Sequence, residues 1–323
     1  MLIDHYGCGA MRVQVITDST SDIARGLADK LGIRVVPIYV SFGDKTYRDG
    51  IDIQSEELYR MLETLPMHPI TSQPSPEDFT SAYSDYADIS DGIVSIHISS
   101  KISGTYNSAL LASKTLVKSC PIEVIDSKLN SAGLGLVTIA AARMAKSGAG
   151  FQEVIKEANK AVSQTRMFGM FETMKYLARG GRINKTIAMA SRILNVMPLL
   201  TFSDGEIARA GLVRTVNNGI ERICDFVRKN MPVCELVIVH SAVKDRANYL
   251  KRQLEELIPQ KEINIAELGA GLGVHGGPGV LLVAIRRSVK ELEGKSGIPV
   301  PKDELKKRVR EIMQEFGQGG ENG

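Results

Sequence analysis

Residues 75–98, SPEDFTSAYSDYADISDGIVSIHI, combine the pattern of a helix with the pattern of a strand. Ser75 can cap a helix, Pro76 suits the first helical position, and Asp78 can bond back to the cap. An apolar stripe follows at helical spacing, formed by Phe79, Ala82, Tyr83 and Tyr86. The run Gly92–Ile98 is short and rich in isoleucine and valine, so it predicts a buried strand.

The same alternation extends in both directions from this stretch. Further strands are predicted at Arg12–Thr17, Val35–Ser41 and Ile122–Ile125. Further helices are predicted at Glu56–Leu65, Asn130–Ser147 and Gln152–Thr165. Because strands that alternate with helices pair in parallel, this half of the chain predicts a doubly wound parallel sheet, and the fold class is α/β.

The pattern changes from about residue 166. Asp204-Gly205 is a strong hairpin signal between two predicted strands, Met197–Phe202 and Glu206–Val213. Strand and helix patterns then alternate as far as Arg287, which indicates a second lobe with a mixed α/β sheet. We therefore expect an N-terminal α/β lobe over residues 11–165 and a C-terminal α/β lobe over residues 166–289.

The two ends of the chain have different patterns from the lobes. Residues 1–10 read as a poorly ordered extension, and Met11 is a candidate natural start. Residues 290–323 are charged and interrupted by proline, then helical, and rich in glycine at the end. They predict an appended surface helix followed by a loose tail.

Composition excludes several classes of function. The net charge is only +3 and tryptophan is absent, so a basic and aromatic surface for nucleic acid is not expected. The four cysteines are scattered, which fits a reducing compartment, and neither they nor the histidines have metal-ligand spacing. No apolar run is long enough to form a membrane span or a signal peptide. These features predict a cytoplasmic protein without a metal, a disulfide framework or an integral membrane segment.

Four clusters rich in hydroxyl groups follow predicted strands. They are Thr17–Asp22, Thr71–Ser75, Ser99–Thr105 and Asp126-Ser127. Ligands of α/β proteins bind at the carboxyl ends of the strands, and hydroxyl and N–H groups at helix starts favour an anion. Each cluster alone is also explained as a helix cap. Together they predict a site for a carboxylate or a phosphate, and the pattern does not choose between them.

Two further segments offer polar groups for such a site. Arg182 follows a glycine pair, and His275 lies in the glycine-rich run GAGLGVHGGPG at residues 269–279. Such a run indicates tight turning or close approach of the backbone. Dinucleotide-binding sites need an acidic residue about twenty positions after their glycine motif, and this run lacks it. The chain also has no P-loop. No cofactor is therefore expected.

Several motifs in a fixed order resemble those of the DegV family over residues 12–286. They are T-D-S-T-S-D at 17–22, T-S-Q-P-S at 71–75, I-S-S-x-x-S-G-T at 98–105, V-I-D-S at 124–127, G-G-R-I at 180–183 and H-x-G-P-G at 275–279. Each motif alone is modestly specific, and the ordered set is highly specific. The resemblance implies a non-catalytic protein that binds a long-chain fatty acid in a tunnel between two lobes.

The resemblance also implies roles for individual residues and a partner. Thr71 and Ser103 would hydrogen-bond the carboxylate, with His275 and Arg182 completing the polar network. Their loop neighbours Ser72 and Gly104 are further candidate lipid-binding residues. A separate kinase subunit would use ATP to convert the bound acid to an acyl-phosphate. Arg209 and Arg214 are candidate docking residues for that subunit, by position only.

Other interpretations remain open at this point. Ser103 and His275 could serve a hydrolase, although no G-x-S-x-G motif is present. A regulatory or scaffold role could use the tail helix. The apolar helix with Leu134, Leu136, Val137 and Ile139 is a candidate wall of the lipid tunnel, and ordinary core packing is the alternative for each of these residues.

Overall fold

The computed structural model describes residues 13–64, 67–115, 120–182, 196–259 and 262–288. The predicted extension at residues 1–10, the predicted tail helix and Ile183 of the G-G-R-I turn lie outside the described residues. Within the described part, residues 13–287 belong to one compact unit.

Thirteen strands and ten helices are described. The strands are β1 (Val13–Asp18), β2 (Ile33–Val36), β3 (Tyr39–Phe42), β4 (Lys45–Arg48), β5 (Ile70–Ser72), β6 (Gly92–His97), β7 (Ile122–Asp126), β8 (Thr165–Met170), β9 (Met197–Ser203), β10 (Glu206–Val213), β11 (Val233–His240), β12 (Ile263–Glu267) and β13 (Leu281–Arg287). The helices are α1 (Arg25–Leu31), α2 (Ser55–Thr64), α3 (Pro76–Ala87), α4 (Thr105–Thr115), α5 (Ser131–Lys146), α6 (Phe151–Gln164), α7 (Lys175–Arg179), α8 (Val216–Lys229), α9 (Lys244–Leu257) and α10 (Ala270–Gly276). A short 3-10 turn, Ser19–Ser21, follows β1.

The first lobe is built on a parallel sheet with the strand order β2-β1-β6-β7. Apolar residues of α3 and α4 pack on one face, and those of α1, α5 and α6 pack on the other. The predicted doubly wound parallel sheet is therefore confirmed. The capping box predicted for α3 is also present, because Asp78 N donates to Ser75 Oγ and Ser75 N donates to Asp78 Oδ2.

The second lobe is built on a six-stranded mixed sheet with the order β10-β9-β8-β13-β11-β12. Only β11 and β12 are paired in parallel, and α9 connects them. The hairpin predicted at Asp204-Gly205 joins β9 and β10, and both turn residues have positive φ, 46° and 85°. Such backbone angles suit the twist of a two-residue hairpin turn. The mixed sheet predicted for this lobe is confirmed, while the predicted domain boundaries stay a prediction.

Helix α5 lies between the two sheets. It packs against β1 and β6 of the parallel sheet and against β8, β11 and β13 of the mixed sheet. Every residue from Ser131 to Ala142 is consequently buried. A helix that is apolar on all sides is expected where no side faces water, which explains its content of alanine, leucine and isoleucine.

The single strand predicted at Val35–Ser41 is wrong, because two strands occupy this range. Pro37 has a fixed φ and no N–H group, and it falls between β2 and β3. Strand β2 stays in the parallel sheet, whereas β3 pairs antiparallel with β4 and β5 in a separate three-stranded sheet. Thr71 therefore lies on β5 of this small sheet rather than in a loop at the edge of the parallel sheet.

Candidate ligand-binding cavity

A narrow cavity lies where the small sheet, the loops of the parallel sheet and the mixed sheet meet. It encloses about 870 Å³ of space between atoms, part of which is open to solvent. Its lining is mostly apolar and includes Ile38, Ile98, Ile102, Met167, Phe171, Leu200, Phe202, Ile207 and Leu282. Ligand pockets commonly show this predominance of apolar side chains.

Four of the predicted polar residues line this cavity: Thr71, Ser103, Arg182 and His275. Thr71 Oγ1 lies 2.7 Å from His275 Nε2, although the two residues are 204 positions apart in the chain. Arg182 is exposed as well as lining the cavity, so it lies where the cavity opens to solvent. The structure thus brings together residues from the small sheet, the loop before α4, the turn after α7 and α10.

The imidazole of His275 is held in a desolvated position on α10. A Cβ atom added to Gly180 would lie 2.0 Å from His275 Nδ1, so only glycine lets the turn after α7 approach the ring. Burial lowers the pKa of His275 to about 4, and the charges of Arg182 and His68 act in the same direction. The ring is therefore neutral near pH 7. With its proton on Nε2 it donates to Thr71 Oγ1, and the Thr71 hydroxyl can then donate to a ligand.

The Ser103 hydroxyl lies just before α4. Its oxygen accepts a hydrogen bond from Thr105 N at 3.3 Å and lies 2.9 Å from Thr105 Oγ1. Ser103 thus sits at the positive end of an eleven-residue helix, with its hydroxyl on the cavity. Two hydroxyls, one neutral imidazole and one guanidinium make a polar region on a mostly apolar lining.

A family model described as "Uncharacterised protein, DegV family" matches residues 12–287. The chain belongs to the DegV family. A DegV domain-containing protein of Caldanaerobacter subterraneus subsp. tengcongensis is 34% identical over 270 residues, which cover 83% of this chain and 96% of the relative. A DegV domain-containing protein of Streptomyces coelicolor is 33% identical over 278 residues, 84% of this chain and 98% of the relative.

Solved DegV structures share the fold and are described by their ligands. A DegV family protein from Thermus thermophilus, described as binding fatty acid, is 32% identical with a TM-score of 0.78 and covers 85% of this chain and 99% of its own. DegV of Bacillus subtilis, described as a fatty acid binding protein, is 28% identical with a TM-score of 0.78. The match covers 85% of this chain and 99% of the Bacillus protein. A stearic acid-binding protein from Eubacterium ventriosum is 27% identical with a TM-score of 0.77. The match covers 85% of this chain and 98% of the Eubacterium protein. The predicted α/β fold and the predicted DegV resemblance are both confirmed.

Two other candidate lipid-binding residues do not line the cavity of this DegV protein. Thr71 and Ser72 alternate on β5, so Ser72 points away from the cavity and is exposed. Gly104 instead lets two loops approach each other, because an added Cβ would lie 2.5 Å from Nε2 of Gln73. Neither residue lies on the cavity surface, and their predicted part in lipid binding stays a prediction.

The apolar helix proposed as a tunnel wall belongs to the core. Leu134, Leu136, Val137 and Ile139 of α5 are buried in the largest apolar cluster and do not line the cavity. Only Asn130 and Ser131, at the start of α5, reach it. The apolar walls come mainly from the mixed sheet and from the loops after β2 and β6, which periodicity alone did not indicate.

The other predicted residues lie at the surface or make local bonds. Arg209 on β10 and Arg214 just after it are exposed and do not line the cavity. Ser127 Oγ bonds to Leu129, and Asp126 accepts a hydrogen bond from the Ser100 hydroxyl. The cluster at Asp126-Ser127 is therefore satisfied within its own loops, whereas Thr20 of the first cluster does line the cavity.

A serine hydrolase at Ser103 and His275 is not supported by the geometry. Such an enzyme needs a carboxylate that orients the imidazole. Among the described residues Nδ1 of His275 has no hydrogen-bond partner, and its Nε2 faces Thr71 rather than Ser103. An Asp18–His97–Ser95 chain does exist, with His97 Nδ1 lying 3.0 Å from Asp18 and Nε2 lying 2.7 Å from Ser95. All three residues are 0% exposed, so this chain cannot reach a substrate.

The depressed pKa of His275 predicts a pH dependence of stability. The unfolded chain takes up a proton on this residue near pH 6.5, whereas the folded chain resists protonation down to about pH 4. The stabilisation is therefore fully present above pH 6.5 and is lost as the pH falls toward 4. In ligand-free protein, we expect the free energy of unfolding to fall more between pH 7 and pH 5 than it does in His275→Gln. Denaturant titrations at both pH values measure this, and equal losses in the two proteins would contradict it.

Sequence reasoning did not single out several polar residues at or behind this cavity, among them Asn130 and Thr201 on its lining. Ser131 lines it with a positive φ of 46°, and its Oγ lies 2.5 Å from Asp22 Oδ2. Asp22 and Asp49 lie behind the lining, beside the start of α10. Asp22 belongs to the first hydroxyl-rich cluster, but no local pattern marks Asp49.

Proposed function

We propose that this DegV protein binds one long-chain fatty acid, with its carboxylate at Thr71 and Ser103 and its acyl chain in the cavity, which serves as a tunnel between the lobes. The observation that carries the proposal is a hydrogen-bonded Thr71–His275 pair on the wall of a mostly apolar cavity. The DegV proteins of Thermus thermophilus and Bacillus subtilis, both described as binding fatty acid, support the same ligand class.

The charge of the lining favours a carboxylate over a phosphate. Arg182 is the only lysine or arginine among the described residues that line the cavity, and His275 is neutral near pH 7. A phosphate group carries up to two negative charges and usually binds several cationic or N–H donors. One guanidinium with two hydroxyl donors instead matches a singly charged carboxylate.

The acyl chain supplies most of the affinity in this proposal. Each hydrogen bond to the carboxylate contributes roughly 0.5–3 kcal/mol. Each buried CH₂ contributes about 0.8 kcal/mol, so a chain of more than a dozen CH₂ groups outweighs the polar contacts. The polar groups therefore select and orient the head group, and the apolar walls retain the ligand.

We further propose that the protein acts in the cytoplasm as the non-catalytic subunit of a two-component fatty-acid kinase. Arg209 and Arg214 are exposed, as a docking surface for an ATP-using partner would require. Charge reversal of both arginines should lower acyl-phosphate formation, trapped with hydroxylamine in host extract, without lowering the amount of bound lipid. Equal amounts of trapped acyl-phosphate from the variant and from the parent protein would rule out this docking surface.

In the part of the chain that the structure describes, none of the helices has the length and the apolar character needed to span a membrane.

The ligand can be identified directly from the purified protein. Denaturing the protein and extracting it with organic solvent should release a long-chain fatty acid in near-equimolar amount, detectable by mass spectrometry. Delipidated protein should be stabilised against heat by palmitate or oleate, because ligands that bind only the folded state raise its stability. Absence of both the extracted acid and the thermal shift would rule out the proposal.

A further inference from the structure

Helix α10 carries His275, and its start is bound by side chains from the first lobe. Asp22 Oδ1 accepts a hydrogen bond from Gly269 N at 2.9 Å. The Asp49 carboxylate lies beside the start of α10, and the backbone N–H groups of Ala270 and Gly271 lower its pKa against the larger opposing effect of burial. The first N–H groups of a helix have no partner within the helix. Here Asp22, more than 200 positions earlier in the chain, accepts from Gly269 N, and the Asp49 carboxylate faces the next two N–H groups.

The two carboxylates are themselves held in place. Asp49 is only 3% exposed, and its Oδ2 accepts a hydrogen bond from Ser19 Oγ at 2.7 Å. Ser19 Oγ also accepts a hydrogen bond from Ile38 N at 3.1 Å. Asp22 is tied through Ser131 to the start of α5. The carboxylates therefore connect α10 to the loops after β1 and β4 and to the central helix.

The backbone of α10 lies directly on the first lobe. A Cβ atom added to Gly271 would lie 2.3 Å from Cδ1 of Ile38 and 2.9 Å from Oδ2 of Asp49. One added to Gly273 would lie 2.5 Å from Cδ2 of Leu58. The glycines of the run at 269–279 therefore allow a close approach, as the sequence predicted, but the segment is a helix rather than a loop. Although α10 is encoded within the second lobe, its start is bound to the first.

The position of His275 depends on this attachment. Gly271 and His275 are four residues apart, one helical turn, so a shift at the start of α10 is passed on to the imidazole. Burial raises the pKa of Asp22 to about 8, and the nearby charges of Asp49 and Asp18 act in the same direction. Asp22 accepts from Ser131 Oγ on one oxygen and from Gly269 N on the other, so both of its oxygens join the start of α10 to the start of α5.

We propose that Asp49 and Asp22 are positioning residues for the head group, because they hold α10 against the first lobe and so keep His275 beside Thr71. Neither aspartate lines the cavity, so neither touches the ligand directly. Their effect reaches the ligand only through α10. The inference rests on the proposed fatty-acid binding for its affinity readout, but the position of His275 can be measured without any ligand.

The test compares Asp49→Ala with Asp52→Ala. Asp52 lies on the same turn, is exposed, and pairs only with Arg48 in the described part of the chain, so it is a matched control. Asp49→Ala should weaken palmitate binding roughly tenfold, the loss expected when displacement of His275 weakens one hydrogen bond to the charged carboxylate. The same substitution should weaken the binding of hexadecanol, which has no carboxylate, much less than the binding of palmitate. It should also shift the ¹⁵N and ¹H resonances of the His275 imidazole in ligand-free protein, and Asp52→Ala should do neither.

Ser19→Ala is the second variant, in case Asp49→Ala does not fold. It removes only the hydroxyl that supports Asp49, and it should shift the His275 resonances in the same direction with a smaller loss of palmitate affinity. Folded variants with unchanged resonances and unchanged affinity would overturn the proposal. If the parent protein binds no palmitate, the proposed function fails, and the imidazole resonances still decide whether the aspartates position α10.

Discussion

Replacing Thr71 with valine and Ser103 with alanine together should weaken palmitate binding by roughly 100-fold or more. Each hydroxyl is expected to donate a hydrogen bond to the charged carboxylate, and such bonds contribute about 1.5–3 kcal/mol each. The Thr71 change also leaves Nε2 of His275 facing a methyl group in a desolvated position, which adds to the loss. Isothermal titration of delipidated protein with palmitate measures the effect.

The matched control uses a hydroxyl pair in the same small sheet. Ser41 and Thr46 lie 2.9 Å apart on the exposed side of β3 and β4 and do not line the cavity. Ser41→Ala combined with Thr46→Val should leave palmitate binding unchanged. The difference in affinity between the two double variants should be far smaller for hexadecanol than for palmitate. If the Thr71/Ser103 variant binds palmitate like the parent protein, the head group lies elsewhere.

Replacing Phe202 with glutamate should abolish fatty-acid binding while the fold survives. Phe202 is only partly buried on β9 and lines the cavity, so in the empty protein a carboxylate at this position can reach water. A bound acyl chain would exclude that water, and burial of an unpaired charge costs several kcal/mol. The lost apolar contact of the ring adds to this cost. We therefore expect no fatty acid in the purified variant.

Ile89→Glu is the control for this substitution. Ile89 is 69% exposed and lies outside the cavity lining, so a glutamate there should change neither the lipid content nor the melting temperature appreciably. Lipid extraction with mass spectrometry and thermal unfolding are measured on both variants. A folded Phe202→Glu protein that still carries an equimolar fatty acid would show that the acyl chain does not follow this wall.

Much of both lobes could be predicted from local patterns. The capping box at Ser75 and Asp78 and the hairpin at Asp204-Gly205 depend on residues only a few positions apart, and both are present in the structure. The hydroxyl-rich loops after β1 and β6 were also recognisable, because capping chemistry is local. The head-group candidates Thr71, Ser103 and His275 came from the ordered family motifs rather than from periodicity.

The errors concern features that local patterns do not encode. The proline at position 37 divides one predicted strand between two sheets, and the small sheet that results places Thr71 on β5. Part of the glycine-rich run near His275, Ala270–Gly276, forms a helix whose start lies against Asp22 and Asp49 from the first lobe. Neither aspartate has a neighbour in sequence that would reveal this role.

The sequence by itself determined the α/β class, the order of most elements and the family to which the chain belongs. Those properties depend on hydrophobic period, capping and turn residues, which act over one or two turns of the chain. Only the tertiary structure decided that Thr71 Oγ1 lies 2.7 Å from His275 Nε2 and that α5 packs in the core rather than along the cavity. Such contacts join residues far apart in the chain, so they exist only after the two lobes have packed around α5.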